Sequence, residues 1–144
     1  MFNNLKNYVG ISKCDTLLGQ IDLRINQANE ANGYYKNALN LYNAAEFDEA
    51  TIEATKAKTI YTRIYDRDNI AKVDELLAKV EDGRKTLEQG NRFYNSARSY
   101  VDADKCEQAL TEAQNARKNY RIVNYTIGVE QSDEIIKNCQ ESID

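Results

Sequence analysis

Residues 47–61 read FDEATIEATKAKTIY and residues 106–120 read CEQALTEAQNARKNY. Laid one over the other, the two stretches share Ala50/Ala109, Glu53/Glu112, Ala54/Ala113, Ala57/Ala116 and Tyr61/Tyr120. On a helix the three alanines and the tyrosine fall on one stripe. An alanine stripe lets a second helix approach toward the short end of the usual interaxial spacing of about 8–10 Å. The pair of stretches therefore implies close helix–helix packing, made twice.

Working outward, residues 31–89 laid over 90–144 without gaps give 11 identities in 55 positions, including Tyr35/Tyr94, Ala38/Ala97 and the pairs Asp74-Glu75/Asp133-Glu134. The same offset run backwards places Ile11, Asp15, Leu17, Leu18 and Ile21 on Ile70, Asp74, Leu76, Leu77 and Val80, and Phe2 and Leu5 on Tyr61 and Ile64. A fixed period signals a repeat architecture, in which each unit buries its apolar face against its neighbours. The expected organisation is one helical-repeat domain over residues 1–144: a partial repeat 1–30, a repeat 31–89 and a repeat 90–144, about 2.4 periods of about 59 residues.

Heptad spacing runs on either side of the opening stretch. Val73, Leu76, Val80, Gly83, Leu87, Gly90, Tyr94, Ala97 and Val101 form one unbroken seam, and Cys14, Leu17, Ile21, Ile25, Ala28, Tyr35, Ala38 and Tyr42 form its counterpart. The pattern predicts an all-α fold with five helices, over 11–44, 47–65, 70–102, 105–123 and 130–143, as a three-helix repeat array. The long helices have possible breaks near 26–31 and 83–90, and Gly83 and Gly90 have a second reading as points of close backbone approach. Phe2 and Leu5 read as the last turn of a preceding short helix.

Composition agrees. Proline is absent and glycine occurs six times, which favours helix because an interior proline costs about 3 kcal/mol. Hydrophobic residues at 42% and charged residues at 29% fit a globular chain. A net charge of −4 argues against nucleic acid as a partner, since that binding needs a basic surface to displace counterions. No apolar run approaches the roughly 20 residues of a membrane span, so no membrane insertion is expected. The N-terminus lacks the continuous apolar core of a signal peptide. A cytoplasmic location is expected, an extracellular one staying open if the chain is a processed fragment.

Histidine and tryptophan are absent. With them go the usual general base and the commonest nitrogen metal ligand, and no phosphate loop or dinucleotide fingerprint is present. No catalytic residue, cofactor, metal or small-molecule substrate is expected. The Asp-Glu pairs read as first-turn carboxylates favoured by the helix dipole. Cys14, Cys106 and Cys139 stand where Val73, Phe47 and Val80 stand in the sister copies, so all three read as small buried hydrophobes. Of ten tyrosines, those on the heptads read as core, while Tyr8, Tyr65 and Tyr125 fall in connections and read as interface candidates.

The stretch from Tyr34 through Ala38, Phe47 and Ala50 to Ala57 resembles a tetratricopeptide repeat, as does Phe93, Ala97, Cys106, Ala109 and Ala116. The family's usual proline is replaced by Thr62 and Arg121, and a third helix lengthens the unit beyond the family's two-helix spacing. The resemblance implies a short right-handed α-solenoid and a non-enzymatic protein–protein interaction scaffold, binding a peptide or helix of a partner. It also implies a groove lined by the first helix of each repeat: Asn32, Tyr35, Leu39, Tyr42 and Asn43, then Asn91, Tyr94, Arg98, Val101 and Asp102.

The alternative is a structural protein whose copies stack head-to-tail into rings or filaments. Its anchors would be Ile135, Ile136 and Cys139 on one side and Phe2, Leu5, Leu17 and Leu18 on the other.

Overall fold

The computed structural model describes residues 2–143, with side chains from residue 12 onward. Five helices follow one another: α1 Phe2–Asn43, α2 Phe47–Arg63, α3 Arg67–Asp102, α4 Cys106–Ile122 and α5 Thr126–Ile143. No strand occurs among the described residues, and the fold is all-α. Both long helices run unbroken through the places where a break was open, near 26–31 in α1 and at Gly83 and Gly90 in α3. The expected short helix end before Ile11 is absent, since α1 begins at Phe2. Once a helix exists, each added residue brings a hydrogen bond without a new nucleus, so these residues prolong α1.

The helix boundaries repeat at the sequence period. Asn43 and Asp102, Phe47 and Cys106, Arg63 and Ile122, and Arg67 and Thr126 each lie one full period apart. The turns explain this regularity. Each helix before a connection ends at a residue in the left-handed region: Ala45 (φ 60°), Tyr65 (56°), Asp104 (56°) and Asn124 (57°). The next amide then donates to a carbonyl five residues back, Glu46 to Leu41 at 2.9 Å, Asp66 to Tyr61 at 3.0 Å, Lys105 to Tyr100 at 2.8 Å and Tyr125 to Tyr120 at 2.8 Å. This is the Schellman closure of a helix, made here without glycine. A non-glycine residue in that region costs roughly 1–2 kcal/mol.

Successive helices are antiparallel, and each packs on the next. Helix α3 is shared: its front half, with Val73, Leu76 and Val80 buried, lies on α2, and its rear half, with Ala97 buried, lies on α4. The alanine stripes are fully enclosed, with Ala50, Ala54, Ala57, Ala109, Ala113 and Ala116 all at 0% exposure. Tyr61 and Tyr120 are also buried; their hydroxyls donate to Asn32 Oδ1 and, over 2.6 Å, to Asn91 Oδ1. A Cβ at Gly83 would stand 2.7 Å from the Phe47 ring, and one at Gly128 2.6 Å from the Tyr120 ring. These glycines admit aromatic rings against the backbone, which is the close-approach reading for Gly83. The buried Ser132 takes the place that Val73 holds in the preceding copy, and its hydroxyl has no hydrogen-bond partner.

Candidate functional site: two equivalent clefts

Two surface clefts lie where alternate helices meet. The first, about 480 Å³, has one wall from α1 (Tyr35, Leu39, Tyr42, Asn43) and one from α3 (Lys72, Glu75, Leu76, Lys79). The second, about 390 Å³, has one wall from α3 (Tyr94, Arg98, Val101, Asp102) and one from α5 (Gln131, Glu134, Ile135, Asn138). Every lining position of the first recurs in the second exactly one period later along the chain. Their chemistry differs. The first holds Lys72 and Lys79 against Glu75, with Lys79 Nζ 3.6 Å from Glu75; the second holds Arg98 against Asp102 and Glu134. The Arg98 guanidinium stands 6.0 Å from the centre of the Tyr94 ring, within cation–π range.

The residues expected to bind a partner, Tyr35, Leu39, Tyr42, Asn43, Tyr94, Arg98 and Asp102, all line these clefts, as does Val101. Asn32 and Asn91 line neither and serve instead as acceptors for the two buried tyrosines. The second walls were absent from the sequence reading. Their signal was present in the third helix of the repeat, which forms a wall of the groove and leaves it open.

The head-to-tail anchors fare differently. Leu17 and Leu18 are 57% and 59% exposed. Ile135 and Ile136 are half-buried, and Ile135 belongs to a cleft wall. Cys139 is 1% exposed, enclosed beside Cys106 between α4 and α5, which agrees with its reading as a small buried hydrophobe and removes it as an anchor of an open face. Phe2 and Leu5 lie outside the described side chains, as does Tyr8.

Other expectations also need correction. Cys14 is exposed, as are its neighbours over residues 12–26, because none of the described residues packs over that part of α1. Tyr125 is half-buried, its ring centre 5.3 Å from that of Tyr120, whereas Tyr65 projects into solvent. Asp74 and Asp133 are not first-turn residues, since α3 and α5 start seven residues earlier, at Arg67 and Thr126. They bridge helices instead: Lys58 Nζ lies 2.8 Å from Asp74 Oδ1, and Arg117 Nε lies 2.8 Å from Asp133 Oδ1. The Arg117 contact is an ion pair by distance, without the alignment of a hydrogen bond.

Burial pushes the Tyr120 phenol up to about 12, with Tyr125 and Tyr94 adding to it, and raises Tyr61 in the same direction. Burial, then the Cys106 contact, pushes the Cys139 thiol up to about 11, which makes it a poor nucleophile at neutral pH. No group of three or more potential metal ligands converges among the described residues, and no described helix is long and apolar enough to cross a membrane. No family model, curated protein or solved structure matches the chain.

Proposed function

We propose that the chain is a non-catalytic interaction scaffold that holds a peptide or helix of a partner protein in its two equivalent clefts. One observation carries this reading: the same eight-position cleft is built twice, one sequence period apart, with aromatic or aliphatic residues beside a charged rim. Aromatic and aliphatic side chains set among charged and amide groups are the ordinary make-up of a protein–protein interface. The lysine-bearing cleft favours an acidic stretch of ligand and the Asp102/Glu134 cleft a basic one, so a bound segment would carry its two charges in a fixed order.

Selection from a random peptide library displayed on phage tests the reading. Peptides enriched on the chain should lose most of their affinity to Tyr42→Ala, Lys72→Glu or Glu134→Lys. A library that yields no binders, or binders indifferent to all three substitutions, would refute it.

A further inference from the structure

The front half of α1 is the third copy of a face that this molecule covers twice. On α3, Val73, Leu76 and Val80 are buried beneath α2; on α5, Ser132 and Cys139 are buried beneath α4. The same offset gives Cys14, Leu17 and Ile21 on α1, all exposed, as is the adjoining Leu18.

The charges repeat as well. Both covered faces carry an aspartate paired with a base on the covering helix, Asp74 with Lys58 and Asp133 with Arg117, each at 2.8 Å. The base directly follows the last alanine of the seam, Ala57 or Ala116. Asp15 holds that place on α1, is exposed, and has no ion pair among the described residues.

We infer that the face formed by Cys14, Asp15, Leu17, Leu18 and Ile21 docks an antiparallel helix of a partner protein, one with an alanine seam and a lysine or arginine placed to meet Asp15. A second copy of the chain is not the occupant. Its two helices of this kind, α2 and α4, already have every seam alanine at 0% exposure against their own neighbours. The covering helix is of the α4 rather than the α2 type. Phe47 of α2 rests on Gly83, whose place on α1 is held by Arg24, so the seam must open there with a small residue, as α4 does with Cys106.

A synthetic peptide copying residues 104–124, with Cys106→Ala to prevent thiol exchange, is the probe. It should bind the chain one to one and slow alkylation of the exposed Cys14. Leu18→Glu in the chain should weaken binding by about tenfold or more, since its equivalent Leu77 packs half-buried against the covered core. The exposure of Leu18 makes that variant safe for folding. An Arg117→Glu peptide should bind roughly two- to fivefold less well, and Asp15→Arg in the chain should restore it. Three results would each overturn the inference: no protection of Cys14 at saturating peptide, protection that Leu18→Glu leaves intact, or charge reversal without rescue. Sedimentation of the chain alone should show a monomer; a dimer dissolved by Leu18→Glu would make a second copy the occupant and equally overturn it.

Discussion

The front halves of α1 and α3 hold equivalent places in the period and carry the same apolar signature, Leu17-Leu18 then Ile21 against Leu76-Leu77 then Val80. Yet Leu76 is 3% exposed and Leu17 57%. The difference is α2, which lies across one and has no counterpart on the other among the described residues. An apolar stripe records that a helix face needs covering; only a neighbour settles whether it is covered. The sharpest way to break this comparison is to truncate the equivalent leucines. Leu76→Ala should destabilise the chain by about 2–5 kcal/mol, through lost burial and the cavity left behind. Leu17→Ala should stay within about 0.5 kcal/mol, as exposed positions do. Urea denaturation measures both, and equal losses would mean that the front of α1 is covered after all.

That distinction also sets what was legible in the sequence. Helix class, helix order, the period and the alanine seams follow from properties local to the chain: propensity, absence of proline and heptad spacing. The enclosure of Ala54 and Ala113 followed too, because each seam has its covering helix within the same chain. Cys14 read like Val73 by pattern and proved exposed, because pattern does not report a missing neighbour. The turns were obscured for a different reason. They close on left-handed Ala45, Tyr65, Asp104 and Asn124, where two of the four, Ala45 and Tyr65, carry no conventional signal for that conformation. The clefts were half legible: their α1 and α3 faces came from the repeat resemblance, while the opposite walls needed the placement of the third helix.

The covered seams carry buried tyrosines, and alkali therefore probes them selectively. Unfolded, Tyr120 ionises near 10; in the folded chain burial holds its proton up to about 12. The folded state keeps a proton that the unfolded chain releases, so stability is fully present below pH 10 and falls as pH rises from 10 to about 12. Tyr61, raised for the same first cause, adds to the fall. Denaturation midpoints taken across that window should decline, and Tyr120→Phe should flatten the decline while lowering stability at neutral pH through loss of the Asn91 hydrogen bond. An unchanged slope in Tyr120→Phe would mean that the phenol reaches solvent.

The smallest effects sharpen the comparison most, because they differ in sign. A Cβ added at Gly19, in the front half of α1, would meet nothing within 4 Å. A Cβ at Gly83, in the front half of α3, would come within 2.7 Å of the Phe47 ring, itself held in the core beside Tyr42 with ring centres 5.9 Å apart. Glycine to alanine inside a helix gains about 1 kcal/mol from backbone propensity at both sites. At Gly19 nothing opposes the gain, and Gly19→Ala should raise the melting temperature. At Gly83 the ring must move in a packed interior, and overpacking of that kind costs typically about 1–3 kcal/mol, more than the gain. Gly83→Ala should therefore lower the melting temperature. If both variants melt higher than the parent chain, Phe47 has room to shift and the α2–α3 seam is looser than its enclosure implies. If both melt lower, Gly19 meets a neighbour after all and the contrast between the two glycines fails.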